Sequence, residues 1–368
     1  MAASSVWGTN LRISIFGESH GPAVGVVIDG LPAGEPIDRD ALLAQMARRA
    51  PGRDKSSTPR KEADTPEFLS GILDGHTTGA PLCIVIQNTN TRSGDYANLM
   101  QVPRPGHSDY PAYIHYHGCN DVRGGGHFSG RLTSCLCAAG AVCRQILERR
   151  GIHIGSHVAA VGPVRDAALP GPEIPEELLR RLSEAYFPVI GEGVEEQMRA
   201  VIEEARMARD SVGGIVECAV TGLPAGLGGP LFGGVESLFS SILFGIPAVK
   251  GVEFGEGFGA AALRGSENND PYTVAENGEI RTVSNHAGGI LGGITTGMPL
   301  VFRIAVKPTA SISQKQRSVD LQSRSETELE VHGRHDPCIV PRAAPVAESA
   351  AAVAALEQIG RASCRERV

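Results

Sequence analysis

The sequence predicts an α+β protein built mainly from antiparallel strands, on three observations. Strand-like and helix-like stretches interleave along 368 residues. Many strands follow one another without a segment long enough for the crossover that parallel neighbours need. A composition of 42% hydrophobic and 20% charged residues belongs to a globular chain with a large core, and no repeat or low-complexity linker divides it. One domain over residues 1–359 with long functional loops is expected, and residues 360–368 read as a tail that is frayed or not native sequence.

Taken in order, Leu11–Phe16 alternates apolar and polar residues as a half-buried strand does, Gly17-Glu18-Ser19-His20-Gly21-Pro22 breaks it, and Ala23–Asp29 is a second strand. Ser19 and His20 thus fall on a corner, where side chains reach a cleft more readily than from mid-strand. Asp38 caps a helix over Arg39–Ala50 that Pro51-Gly52 stops. Leu82–Gln87 is a strand, and Leu132–Arg150 a helix with Leu132, Leu136, Ala139, Cys143, Ile146 and Leu147 on one stripe. Strands at His153–Gly162, Gly214–Gly222, Val249–Phe254 and Leu300–Val306 alternate with helices near Pro175–Tyr186, Gly193–Arg209 and Val235–Phe244. Gly255–Thr282 reads as a long polar excursion of the kind that makes a lid or binding loop. The glycine pairs at 288–289 and 292–293 suggest backbone packed against a flat or bulky group, and an alanine-rich helix over Pro345–Ile359 follows.

A formal charge of -7 argues against a general nucleic-acid coat. The chain has no apolar run of about 18 residues that could span a bilayer and no secretory leader, so a cytoplasmic protein is expected. Eight cysteines in a chain this long do not make a disulfide scaffold, and Cys135, Cys137 and Cys143, in an alanine-rich helical stretch with no C-x-x-C pair, read as buried thiols rather than metal ligands. His115-Tyr116-His117 has strand spacing that would put both imidazoles on one face, yet no carboxylate or cysteine stands at ligand spacing, so no metal is expected.

Against this acidic background, Arg104 to Arg131 collects Arg104, His107, His115, His117, Arg123, His127 and Arg131 around Gly124-Gly125-Gly126. Flexible backbone next to guanidinium forks suits carboxylate or phosphate oxygens. The stretch leads into the helix beginning near Leu132, whose free amides favour an anion, so a phosphate-binding loop is expected there. Arg48, Arg49, Arg53, Lys55, Arg60 and Lys61 exceed what a helix dipole needs and suggest an anionic ligand. Lys307-Pro308-Thr309-Ala310-Ser311 offers an ammonium and hydroxyls for another phosphate.

These motifs fall in a recognisable order. Gly17-Glu18-Ser19-His20-Gly21, Arg104-Pro105-Gly106-His107-Ser108-Asp109, Arg123-Gly124-Gly125-Gly126, Ser284-Asn285-His286-Ala287-Gly288-Gly289-Ile290, Lys307-Pro308-Thr309 and Gly333-Arg334-His335-Asp336-Pro337-Cys338 together resemble the chorismate synthase family from Gly17 to about Glu348. The resemblance implies a sandwich of sheets surrounded by helices, usually a homotetramer. It implies a lyase of the shikimate pathway that makes chorismate from 5-enolpyruvylshikimate 3-phosphate by anti-1,4-elimination of phosphate, with reduced FMN and no net redox change. It leaves open whether NADPH reduces the flavin on the enzyme or an external flavin reductase supplies the electrons.

Carried onto this chain, His107 matches the histidine that protonates the leaving phosphate, and His20 the histidine against the flavin. Asp336 matches the aspartate handling a proton near the flavin, with Ser19 and Ser129 as relays. His127, Phe128, Ser129, Pro247, Ala248, Gly292, Lys307, Pro308, Thr309, Ala310, Ser311 and Arg334 fall on flavin-contacting positions. Arg49, Lys55 and Arg131 fall where substrate or NADP is bound. Two positions depart from the commoner pattern: His127 stands where many members carry arginine, and Lys55 keeps the charge but loses a bidentate fork. The competing readings are a metal-dependent phosphohydrolase using His20, His115 and His117, and a non-catalytic binder of phosphorylated metabolites.

Overall fold

In the computed structural model, which describes residues 4–52, 64–89, 99–331 and 336–365 (side chains to 362), three strands come first. They are β1 (Val6–Trp7), β2 (Arg12–Gly17) and β3 (Ala23–Asp29). After α1 (Arg39–Arg49) come β4 (Pro66–Ser70), a small hairpin of β5 (Ile72–Leu73) and β6 (His76–Thr77), and β7 (Leu82–Gln87). One antiparallel sheet runs in the order β1-β2-β3-β7-β4. Then come α2 (Asp109–His115), α3 (Thr133–Glu148), β8 (His153–Val161), β9 (Val164–Arg165), α4 (Glu176–Glu184), α5 (Val194–Met207), β10 (Gly214–Thr221), α6 (Val235–Leu243) and β11 (Val249–Phe254). The last part holds α7 (Gly265–Asn268), β12 (Tyr272–Val274), β13 (Ile280–Thr282), β14 (Ile290–Leu291), β15 (Ile294–Thr295), β16 (Leu300–Val306), β17 (Gln316–Asp320), β18 (Ser325–Leu329) and α8 (Val340–Arg365). The second sheet, β11-β16-β10-β8-β9, is also antiparallel throughout.

Small side chains decide how the centre packs. Helix α3 lies on β2, β3 and β7, α8 lies on β8 and β10, and the two helices lie on each other. A Cβ placed on Gly140 of α3 would come 2.3 Å from Cβ of Ser349 in α8, so only glycine permits that crossing. Around it Ala138, Ala139 and the run Ala350–Ala355 are buried, which lets the helix axes approach closely. Val24, Val26 and Ile28 of β3 and Leu82, Ile84 and Ile86 of β7 close this layer from the first sheet. The α+β class with antiparallel sheets stands. Its helices sit in two places: α3 and α8 fill the space between the sheets, while α4 sets Leu179 and Leu182 against Ala219 on the outer face of the second sheet.

A buried polar knot ties the central elements. The Glu348 carboxylate in α8 accepts from Arg48 of α1, from Arg144 of α3 at 3.2 Å and from Ser156 Oγ of β8 at 2.7 Å. Burial would raise that carboxyl, but the two guanidiniums outweigh it and hold it below the usual carboxylate range. Arg48 is thereby spent on the fold and leaves the surplus to Arg49.

Several sequence expectations are corrected. His115-Tyr116-His117 is not a strand: His115 ends α2 and His117 has a φ of 54°, so the two imidazoles do not share a strand face. The glycines lie within a 3₁₀ segment, Arg123–Phe128, and a second turn, Gly130–Leu132, stands between that segment and α3. Gly255–Thr282 is a folded insertion containing α7 and the β12–β13 hairpin. After it, Gly288, Gly289 and Gly293 pack against protein backbone, a Cβ on Gly288 lying 2.3 Å from the Gly255 nitrogen, whereas Gly292 is open. Helix α8 starts earlier than expected and runs on to Arg365. Cys135, Cys137 and Cys143 are buried and free, and burial pushes their thiols up to about 12, about 11 and about 12. Among the described residues no helix is long and apolar enough to cross a membrane.

Candidate active site

The N-terminal ends of α3 and α8 meet at a cleft of about 880 Å³. Leu132, Thr133 and Leu136 line it from α3, and Ile339, Arg342, Ala343 and Val346 from α8. Both helices turn their positive dipole ends towards it. Trp7, Ile13, Ile15, Phe244 and Ile246 supply an apolar wall. Among the described residues six cationic side chains line the cleft, Arg49, Arg104, Arg131, Lys250, Lys307 and Arg342, against the single carboxylate Asp336. Asp64 and Asp109 stand behind the arginines, and the charge surplus remains positive. Burial, helped by the nearby Lys250 ammonium, pulls the Lys307 ammonium below the usual lysine value.

Arg49 and Arg131 are aimed by their partners. Arg49 donates from Nε to Thr133 Oγ1 at 3.0 Å, from Nη1 to Asp64 Oδ2 at 2.7 Å and from Nη2 to the Gly130 carbonyl at 2.7 Å. Arg131 donates to Asp64 Oδ1, to Asn88 Oδ1 at 3.0 Å and to the Gln87 carbonyl at 3.2 Å. Burial would raise the Asp64 carboxyl, but both guanidiniums outweigh it and keep it below the usual carboxylate range. Burial likewise works against the Arg49 charge, and Asp64 overcomes it, so its pKa is raised.

The glycine turn stands between two histidines. Gly124 has a φ of 60°, and a Cβ there would lie 2.2 Å from Nδ1 of His20 and 2.6 Å from Oγ of Ser19. Ser19 Oγ is 3.0 Å from the Gly124 carbonyl, and the Ser19 N–H donates to the Gly126 carbonyl at 3.2 Å. His20 and Ser19 are therefore buried behind the turn, outside the lining of the cleft. On the other side a Cβ on Gly125 would lie 3.3 Å from Nε2 of His107, which does line it.

His127, Phe128 and Ser129 line the cleft as expected. Both ring nitrogens of His127 are engaged, however: Nδ1 is 2.7 Å from the Gly17 carbonyl and Nε2 is 2.7 Å from Ser5 Oγ. A carbonyl only accepts, so Nδ1 carries a proton, and the imidazole holds the segment Ser4–Trp7 against the glycine turn. Trp7 fixes the other side of that segment by donating from Nε1 to Ser241 Oγ at 2.7 Å. Ser129 Oγ accepts from the Arg131 amide at 3.2 Å.

Pro247, Ala248, Lys307, Pro308, Thr309, Ala310 and Ser311 form the opposite wall. Ala248 holds a φ of 75°, and its carbonyl accepts from the Lys307 amide at 3.0 Å. Strained backbone of this kind gathers at ligand sites. Lys307 Nζ donates to the Gly106 carbonyl, Ser311 Oγ accepts from Arg104 Nη1 at 3.0 Å, and Thr309 Oγ1 donates to the Asp336 carbonyl at 2.8 Å. Arg342 donates to both oxygens of Asp336, at 2.9 and 3.1 Å. Gly292 lies in the turn between β14 and β15 and is not part of this cleft's lining. Lys55 and Arg334 lie outside the described residues.

Sequence reading gave no role to Asp64, Asp109, Arg342, Trp7 or Lys250. Asp109 was inside a quoted motif and Arg342 beside another, and the carboxylate three residues after His107's neighbour Gly106 was a usable signal. Asp64 had none, because its second arginine is 67 positions away. Among the described residues no group of three His, Cys, Asp or Glu side chains could hold a metal ion.

A large, positively charged cleft with an apolar wall and a glycine turn set between a buried His20 and a part-exposed His107 defines an enzyme of anionic small molecules. A family model described as chorismate synthase matches residues 11–359. A chorismate synthase of Thermococcus kodakarensis is 49% identical over 345 residues, covering 94% of this chain and 94% of that one. One from Dehalococcoides mccartyi, strain BAV1, is 45% identical over 99% of both. A crystal structure of chorismate synthase superposes with a TM-score of 0.75 at 28% identity, covering 96% of this chain and 92% of the other. The chain belongs to the chorismate synthase family of carbon–oxygen lyases, and the phosphohydrolase alternative finds no support among these relatives.

Proposed function

We propose that this cleft binds 5-enolpyruvylshikimate 3-phosphate together with reduced FMN and releases phosphate by anti-1,4-elimination to give chorismate. The observation that carries the reading is a surplus of cations facing an apolar wall within one cleft, since substrate and cofactor between them bring two phosphates and two carboxylates. About 880 Å³ lies within the range of cofactor clefts, and Lys307 and Ser311 are donors a flavin phosphate could use, with Thr309 beside them. Reduced FMN, when bound, supplies electron density that is returned, so the reaction needs no net oxidant.

The chain's own residues then divide the work. Arg49 and Arg131, aimed by Asp64, take substrate carboxylate or phosphate, and Lys55 joins them. His107 gives a proton to the departing phosphate oxygen; a phosphate dianion beside an imidazole favours its charged form. The C–O electrons leave with phosphate, and the ring C–H electrons become the new π bond. Asp336 and Ser129 handle the proton in the cleft, with Ser19 and His20 behind the glycine turn. Phe128, Pro247, Ala248, Pro308, Ala310 and Arg334 complete the flavin contacts.

Anaerobic turnover should yield phosphate and chorismate only with FMN present and reduced, and equal turnover with oxidised flavin or none would sink the reading. Turnover in air with NADPH and FMN alone would assign flavin reduction to this chain, whereas dependence on an added reductase would assign it to an external partner. The homotetramer and cytoplasmic setting belong to the same proposal, and sedimentation measures the former.

A further inference from the structure

We infer that Asp109, seated on Arg104, is the positioning residue that fixes which nitrogen of His107 faces the reacting atoms. The inference rests on the reading of His107 as the acid. Asp109 and Arg104 are each about nine-tenths buried. Arg104 holds the carboxylate at three points: its amide and Nε reach Oδ2 at 3.0 and 2.7 Å, and Nη2 reaches Oδ1 at 2.8 Å. Its remaining arm is fixed on Ser311 Oγ at 3.0 Å. The carboxylate therefore cannot turn.

His107 Nδ1 lies 2.6 Å from Asp109 Oδ1 and 3.1 Å from Arg104 Nη2. Arg104 Nη2 can only donate and competes for this nitrogen, but it already donates to Asp109 Oδ1 at 2.8 Å, and an unprotonated Nδ1 at 2.6 Å would set two lone pairs against each other, so we assign the Nδ1 proton to the contact with Asp109. That assignment leaves Nε2, beside Gly125, as the atom where a proton is carried and lost. When Nε2 gives its proton to the phosphate oxygen, Nδ1 keeps its own, Asp109 stays a carboxylate, and His107 ends neutral. Among the described residues the charged groups facing this imidazole are Arg104 and Asp109 on its own stretch and Lys307, whose ammonium sits on the Gly106 carbonyl. Burial would raise the Asp109 carboxyl, but the bonds from Arg104 and His107 hold it well below the usual carboxylate range.

The test is a double-mutant cycle on the full-length protein with reduced FMN. Asp109→Asn keeps the side-chain size and should lower kcat by about tenfold to a hundredfold with KM little changed. The limb of the pH–rate profile that reports the acid should move to lower pH. In a His107→Ala background the same substitution should cost nothing further, and Asp109→Glu, which restores a carboxylate, should recover part of kcat. An equal loss with and without His107, a rise in KM at unchanged kcat, or equal effects of Asn and Glu would overturn the inference. Near-normal turnover of His107→Ala alone removes the acid assignment and this inference with it, while the dependence on reduced flavin would still stand or fall separately.

Discussion

Arg49 and Arg131, from different parts of the chain, close on the two oxygens of one buried carboxylate, Asp64. Each also lines the cleft, so the carboxylate spaces two forks that would otherwise repel. Asp64 has a φ of 47°, which asparagine tolerates, so Asp64→Asn exchanges charge with little backbone penalty. The expected result is a KM for the phosphorylated substrate raised about tenfold or more, the size of one lost charged hydrogen bond. Steady-state kinetics with reduced FMN decide it. An unchanged KM would mean that Thr133, Gly130, Asn88 and Gln87 aim the arginines unaided.

Gly124 is the second sensitive point. Its left-handed backbone and the 2.2 Å approach of a Cβ to His20 leave alanine no room. Gly124→Ala should cost about a hundredfold in kcat/KM by displacing the turn against which His20 and His107 are set. Gly265→Ala, where nothing lies within 4 Å of the new Cβ, is the matched control and should behave as wild type. If both variants turn over equally, the turn is not the spacer of the two histidines.

Trp7 is the sole tryptophan and stands in the cleft wall. Flavin absorbs where tryptophan emits, so FMN bound in this cleft should quench the intrinsic fluorescence, with Trp7→Phe abolishing the signal. A saturating FMN titration that leaves the emission unchanged would place the flavin elsewhere.

What the sequence disclosed and what it hid divide along physical lines. The strands Ala23–Asp29, Leu82–Gln87, Val249–Phe254 and Leu300–Val306 have the expected ends because turn residues bracket apolar runs. Asp38 marked the start of α1 because its carboxylate accepts from the Asp40 and Ala41 amides. Helix α2 was missed because Asp-Tyr-Pro-Ala-Tyr-Ile-His is too short for a period to show. The β17–β18 hairpin was missed because its side chains are mostly exposed and polar, so no alternation stands out. Small residues in α3 and α8 foretold burial but not that the helices lie between the sheets, since that depends on their contact with each other at Gly140 and Ser349. At the site, the motifs located the histidines and cations, whereas Asp64 and the His127 latch to Ser5 arise only from folding distant segments together.

His157 in β8 is fully buried between two carboxylates, Nδ1 2.9 Å from Asp166 Oδ2 and Nε2 2.9 Å from Glu217 Oε2. Burial works against its charge, but the two carboxylates outweigh burial and raise its pKa, while both carboxyls are held down. A raised histidine contributes stability that is fully present below its unfolded value, about 6.5, and is lost as pH rises through the folded value. The lowered carboxyls contribute above their unfolded values, about 4, and lose that contribution as pH falls through the folded ones. Stability from this cluster should therefore be greatest between about pH 5 and 6.5. His157→Gln leaves Asp166 without its cation and Glu217 with only Arg303, 3.4 Å from Oε1, and should cost about 3 kcal/mol there. Thermal melts of both proteins from pH 5.5 to 9 should show the gap narrowing as pH rises above about 6.5. A gap that is constant or widens would mean that His157 is held as the neutral imidazole.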